Sequence, residues 1–343
     1  MNPWFDTVAK DCKKRAPALF FSSAALWPLL LALSESHRPR RTSIGGQALI
    51  EGLLMMGPDK RAMVNRLPSG ELRIREEAVT TRPWLKRIPL LRGAVGIIGQ
   101  LKVGMAALME SAELQDETEE SAEPAAHKER AGTGFALLTG ILAGIGLFIL
   151  LPNLIVSGVL AWTGLTREGL AAVLTANLLE ALVRIGILLG YLYLTSRIEE
   201  IHRVWQYHGA EHKSIACYEA GDELIPENVA RCSRFHPRCG TSFLFLIVFV
   251  SALLFALVGW HGILGNLLLR LALIPLVAGL SYEVLRFSGS HADDWYGRAL
   301  ARPGLWLQRL TTAEPDEGQI VVALTALLAV IPQDQERDAW EQR

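Results

Sequence analysis

Long apolar runs limit what this chain can fold into more than any other feature. Crossing the hydrocarbon core of a bilayer takes about 20 mostly apolar residues. Phe135–Trp162 meets that length without a single charge, and Gly140, Gly144 and Gly146 permit close helix contacts. Leu170–Thr195 is apolar but contains Asn177, Glu180 and Arg184. Phe243–Trp260 is uninterrupted, and Ile263–Leu285 carries Arg270 early and Glu283 late. Only His261 and Gly262 separate these last two, so they form a tight helical hairpin. Charged residues are 20% of the 343 and hydrophobic ones 50%, against about 25% charged in a soluble globule. The 34 Lys+Arg and 35 Asp+Glu leave a net charge of −1, which excludes nucleic-acid binding by bulk electrostatics. Four cysteines in such a chain do not make a disulfide scaffold. The expected class is a mainly α integral membrane protein with about four transmembrane helices and sizeable polar segments.

The segments divide as follows. Residues 1–40 are an extension with an ambiguous apolar run, Pro17–Leu33, after a basic stretch; a short or interfacial helix, a signal segment and a disordered extension all fit it. Residues 41–111 are a small cytoplasmic or interfacial α+β segment. Within it, Gly45–Pro58 is punctuated by glycine and Gly70–Thr80 alternates like a short strand, with Leu72 and Ile74 on one side. Pro83–Met109 reads as an amphipathic helix or helix pair lying in the membrane interface. Residues 112–132 are an acidic linker, 133–195 the first two spans, 196–242 a His/Cys loop, 243–286 the second pair of spans, and 287–343 a C-terminal segment with a last helix from about Gln319 to Ile331. Lys and Arg are dense before the first span, between the second and third, and after the fourth. By the positive-inside rule both termini and the His/Cys loop are cytoplasmic.

That loop carries the chemistry. In His208-Gly209-Ala210-Glu211-His212 the two histidines are i and i+4, on one face of a helix. Neutral imidazoles so spaced can hold one Zn²⁺, and Glu211 beside them can act as general base toward water. The H-x-x-E-H pattern is an inverted zinc-protease signature, and the competing reading is a polar helical face without metal. A second pair follows: His236 and Cys239, spaced H-x-x-C on a turn shaped by Pro237 and Gly240. A thiol in a cytoplasmic loop stays reduced, which suits ligation. Two arrangements remain open. His208, His212, His236 and Cys239 would close a tetrahedral structural site; three protein ligands would leave an open position, with Glu283 a candidate ligand. Glu283 can instead pair with Arg286. Zn suits the ligand types best, with Fe, Mn and Ni as alternatives.

Inside the spans, Glu180 and Arg184 are i and i+4 and can pair in the bilayer, with Asn177 helping the bundle pack. Arg270 is expected to snorkel toward the outer surface. Met55–Met56 and the tryptophans read as packing and interface anchors, and Thr311, Thr312 and Glu314 as shaping the site.

Taken together, Gly45–Pro58, Leu90–Gly99, Tyr207–Glu219, His236–Ser242, Ser281–Arg286 and Pro303–Pro315 resemble the YqhQ-like family of bacterial membrane proteins, a family of unknown function. The resemblance covers most of the chain from Gly45 to Ile331; residues 1–40 depart from it. It implies a multi-pass protein of the bacterial inner membrane, and the family carries a label of predicted metal-dependent enzyme. The leading expectation is a membrane-embedded metal-dependent hydrolase acting on a lipid-linked molecule or a membrane-protein segment, with the lipid bilayer as its surroundings and no nucleic-acid partner. Two alternatives are a non-catalytic scaffold or assembly factor with a structural metal or hydrogen-bonded loop, and a small oligomeric transporter using Glu180 and Arg184.

Overall fold

The computed structural model describes residues 41–79, 88–116, 138–259, 261–292 and 294–339. The run Pro17–Leu33 and the acidic linker from residue 117 onward lie outside the described residues. The chain begins with four strands, β1 (Gly45–Leu49), β2 (Gly52–Met56), β3 (Lys60–Arg66) and β4 (Leu72–Ala78). They form one antiparallel meander in the order β1-β2-β3-β4. Nine helices follow among the described residues: α1 (Leu91–Asp116), α2 (Leu138–Thr163), α3 (Leu170–Thr195), α4 (Glu199–Ala220), α5 (Pro226–Arg231), α6 (Gly240–Val258), α7 (Gly262–Ser290), α8 (Trp295–Thr311) and α9 (Glu317–Val330).

Strand β2 explains why Gly45–Pro58 reads as glycine-punctuated rather than as alternating strands. Its sequence, Gly-Leu-Leu-Met-Met, is an unbroken apolar run, as expected when both sheet faces are covered. On one face Leu53, Met55, Ala62 and Val64 pack against Tyr207, Ala210 and Ile215 of α4 and Val322, Ala326 and Leu327 of α9. On the other face Leu49, Leu54 and Met63 pack against Ala107 and Leu114 of α1. The sheet is therefore the middle of three layers. Its outer edge, β4, is charged, and Glu76 pairs across the strands with Lys60 at 3.0 Å; charge on an edge strand blocks further pairing.

Among the described residues five helices are long and apolar enough to cross a membrane, against the four expected from the sequence: Leu91–Gln115, Leu138–Thr163, Ala171–Thr195, Gly240–Val258 and Leu264–Ser290. The additional one is α1, expected as an interfacial helix or helix pair. The two halves of α1 serve different surfaces. The first leaves Leu91, Val95, Ile98 and Leu101 exposed, and the second buries Ala107 and Leu114 on the sheet. No single apolar stripe therefore runs the length of the helix.

Helix α9 is short but central, with Ile320, Val322, Ala323, Leu324, Ala326, Leu327 and Val330 all buried. Its start is fixed by a capping box: the Asp316 carboxylate accepts from Gln319 N at 2.8 Å, and the Gln319 side-chain oxygen accepts from Asp316 N at 2.9 Å. The sheet is tied to α4 by Glu51, in the β1–β2 turn, where the backbone adopts φ 48°. Glu51 accepts from Arg203 Nη2 at 2.7 Å and from the Tyr207 hydroxyl at 3.1 Å.

Burial alone would push the Glu51 carboxyl up, but the Arg203 and Tyr207 hydrogen bonds and the Arg203 charge hold it below the usual carboxylate range. A carboxyl depressed in the folded state stabilises the fold at neutral pH, and that contribution is lost as pH falls through the folded value. Wild type is therefore expected to exceed Glu51→Gln in thermal stability at pH 7, with the gap narrowing below about pH 4; melts of both proteins across this range check it. Truncating Leu327→Ala, fully buried between the sheet and α4, is expected to cost about 2–5 kcal/mol, read by denaturant unfolding.

A candidate metal centre between two helices

His208 and His212 lie one turn apart on the buried face of α4, with ring centroids 4.4 Å apart. The third member comes from the start of α6. Cys239 is its N-cap, and the sulfur accepts from Thr241 N at 3.4 Å. A ring nitrogen of each histidine and Cys239 Sγ all lie within 4.8 Å of one another, and all three residues are buried. Hydrogen bonds set the tautomers. A carbonyl oxygen only accepts, so His208 Nδ1 donates to Thr311 O at 2.8 Å and His212 Nδ1 donates to Arg234 O at 2.6 Å. That leaves Nε2 of each ring for the centre, and His208 Nε2 sits 3.2 Å from Cys239 Sγ. Metal-ligating histidines almost always donate the other ring N–H in this way.

Burial pushes the Cys239 thiol up, but the charges of His212 and His208 and their hydrogen bonds pull it well below the usual thiol range. Burial opposes a charged His208, yet Cys239, Glu211 and the Thr311 carbonyl raise it to about 9. A positive charge is thus favoured where the thiolate and the imidazoles meet, which is the environment a cation would find.

Gly209 explains the spacing of the motif. The strap between α8 and α9 crosses α4 at this residue, where Ala313 N donates to Trp205 O at 2.8 Å. A Cβ on Gly209 would lie 2.1 Å from Ala313 O. The close crossing brings the Thr311 carbonyl to His208. Glu211, next on the helix, is 5% exposed. Its Oε1 accepts from Gly46 N of β1 at 2.8 Å, whereas Oε2 is buried and has no hydrogen-bond partner. A Cβ on Gly46 would lie 2.7 Å from Leu54 O of β2 and 3.1 Å from the Glu211 carboxyl carbon, so a side chain here would crowd both.

His236 stands next to the trio but is turned elsewhere. Its ring centroid is 5.7 Å from that of His212, and its Nε2 lies 3.4 Å from Glu219 Oε2. Glu219 also pairs with Arg238 and accepts from Thr42 N at 2.7 Å. Burial would raise the Glu219 carboxyl, but these partners hold it below the usual range. The His236 backbone is clamped by Gln308, which accepts from its N–H and donates to its carbonyl, each at 2.8 Å. The structure therefore groups His208, His212 and Cys239, with His236 as a neighbour. Glu283 is not brought to them. It is held by Arg92, with Nε at 2.7 Å and Nη2 at 2.5 Å, a pairing across 191 residues that local spacing does not reveal.

The polar residues of the apolar bundle also depart from expectation. Glu180 and Arg184 do not pair. Glu180 binds Arg270 at 2.5 Å, Arg167 at 3.2 Å and Asn153 at 3.3 Å. Arg270 is 4% exposed and does not snorkel. Asn177 donates to Phe255 O at 3.4 Å. Sequence reasoning missed Gln308, Glu219 and Gly46, whose partners lie far along the chain, and a second cluster of Cys217, Asp222 and Cys232. There burial pushes the Cys217 thiol up to about 12, helped by Cys232, and Cys217 packs with Val229, Ile320 and Leu324.

Gly209→Ala is expected to displace the strap, lower the melting temperature and loosen His208. Gly158→Ala on α2, where an added Cβ meets nothing within 4 Å, is expected to be neutral or stabilising by up to about 1 kcal/mol. Thermal unfolding of the two variants beside wild type checks the contrast.

The family model described as "Protein of unknown function (DUF1385)" matches residues 88–333. The chain is 35% identical over 285 residues to the "Uncharacterized protein YqhQ" of Bacillus subtilis (strain 168), covering 82% of this chain and 89% of that protein. No solved structure matches. The matched region contains α4, Cys239 and the strap, and the chain belongs to the YqhQ-like DUF1385 family.

Proposed function

We propose that this protein is a membrane-embedded, metal-dependent hydrolase whose site lies at the cytoplasmic face of the bacterial inner membrane. The observation that carries the reading is the convergence of two histidines and one cysteine, with both Nδ1 positions taken by backbone carbonyls. His208 Nε2, His212 Nε2 and Cys239 Sγ would hold a divalent ion, with zinc the best match to two imidazoles and a thiolate. Three protein ligands leave a position for water or substrate, as in catalytic zinc sites. A bound zinc ion supplies Lewis acidity, polarising a substrate carbonyl or phosphoryl oxygen and easing the deprotonation of water.

The chain's own residues supply the rest. Glu211 Oε2, buried and without a partner, takes the proton of the attacking water and returns it to the leaving group. Gly46 N holds the other oxygen and so fixes the carboxylate. The Thr311 and Arg234 carbonyls keep both imidazoles in one tautomer. Because Cys239 caps an apolar helix, the substrate class is a lipid-linked molecule or a membrane-protein segment reaching the end of that helix. The distribution of Lys and Arg supports placing both termini and the sheet on the cytoplasmic side. The burial of all three ligands favours a second reading, a structural metal in a non-catalytic scaffold. A transporter reading gains nothing from Glu180, whose two oxygens are both in ion pairs.

Metal analysis of the detergent-purified protein, beside a His208→Ala/His212→Ala double variant, tests the proposal. About one metal per chain in wild type and none in a folded double variant is expected. No metal after zinc is added back would refute it. Glu211→Gln is then expected to keep its metal while losing activity on ester, peptide or phosphodiester probes by about 10²–10⁴-fold. Glu211→Gln that retains full activity would assign the metal a structural role.

A further inference from the structure

We propose that the apolar bundle binds an anionic amphiphile, a single apolar chain ending in a carboxylate or phosphate, in a cavity whose head-group site is Arg184. Pro152 lies in the first turn of the α2 segment after its π turn. It carries no N–H to return to the Phe148 carbonyl four residues back, and α2 has a π turn over Gly146–Leu150. Arg184 of α3 satisfies that carbonyl through Nε at 2.9 Å. Its Nη1 reaches Ser251 Oγ of α6 at 3.3 Å, and its guanidinium lies 5.7 Å from the Phe255 ring centroid. Each of these partners is neutral. Nη2 is buried and has no hydrogen-bond partner.

Arg184 sits near the middle of α3, about 21 Å from its start and about 17 Å from its end at 1.5 Å per residue. A guanidinium at that depth with only neutral partners is costly, and such a group marks a functional site by default. The Glu180 carboxylate is already committed to Arg270 and Arg167.

Arg184 and Arg270 both line a cavity of about 410 Å³ between α2, α3, α6 and α7. Among the described residues its walls are otherwise apolar except for Ser251, and no acidic side chain lines it. It continues past Ile274 and Ala278 to Leu244, which lies about 7.5 Å along α6 from Cys239 at 1.5 Å per residue. An apolar slot with cationic donors deep inside it fits a chain with a negative head. This inference is independent of the metal centre.

The test is binding of palmitate, hexadecyl phosphate and hexadecanol to the purified full chain in nanodiscs, followed by native mass spectrometry and competition. Wild type is expected to take up about one palmitate or hexadecyl phosphate per chain and to bind hexadecanol at least tenfold more weakly. Whichever anion binds more tightly identifies the head group as a fatty carboxylate or a lipid phosphate. Arg184→Gln should weaken both anions at least tenfold. Gly144→Leu keeps every arginine and fills the cavity from α2, where an added Cβ meets nothing within 4 Å; it should abolish binding in a protein that melts normally. That variant decides the matter if Arg184→Gln fails to fold. Equal binding of palmitate and hexadecanol, or anion binding unchanged in Gly144→Leu, would overturn the proposal. So would an empty cavity with Arg184 cross-linked to an acidic transmembrane partner.

Discussion

Two backbone carbonyls determine what the His/Cys centre can be. Thr311 O and Arg234 O take the Nδ1 protons of His208 and His212, which leaves both Nε2 atoms for the centre they share with Cys239. Those carbonyls belong to the last residue of α8 and to the turn before α6, so the centre forms only when three separate parts of the chain pack together. Arg234 itself donates to Thr312 O and links the two carbonyl-bearing segments directly. Without these bonds an i, i+4 histidine pair would remain free to rotate, and the spacing alone would mean little.

The same packing joins the two halves of the molecule. Helix α4 forms part of the core beneath the sheet through Tyr207, Ala210 and Ile215, while His208 and His212 meet Cys239 at the end of the apolar bundle. Helix α8 crosses that end, burying Leu307 against Leu188 and Leu192 of α3 and Val248 of α6. Gln308, the next residue, reaches the backbone of His236. A hydrophobic crossing and a polar clamp are thus one residue apart. A displacement of the bundle end would therefore be felt at Cys239, and the proposed amphiphile cavity runs along the same helix, α6.

How much of this was legible in the sequence depended on how local the interaction was. The uncharged run from Phe135 and the apolar run Leu170–Thr195 appear as α2 and α3 with ends close to those expected, because length and hydropathy are local properties. The i, i+4 relation of His208 and His212 was legible for the same reason. Strands β1 and β2 were not, because a strand covered on both faces loses its alternation. Helix α1 was legible as a helix from its apolar content, but its length was not, because its two halves bury against different surfaces and leave no single stripe to follow. Glu283 was legible as a costly carboxylate, but Arg92 lies 191 residues away. Glu180 drew the expectation of an i, i+4 pair, whereas tertiary packing gives it Arg270 and leaves Arg184 to a carbonyl exposed by Pro152.

The central claim is that His208, His212 and Cys239 form one metal site. X-ray absorption at the zinc edge of the zinc-loaded full chain tests it most directly. One sulfur at about 2.3 Å and imidazole nitrogens at about 2.0–2.1 Å are expected, with the sulfur lost in Cys239→Ser. A shell with two sulfurs would place the ion at Cys217 and Cys232 instead. That result, or a sulfur signal that survives Cys239→Ser, would contradict the account.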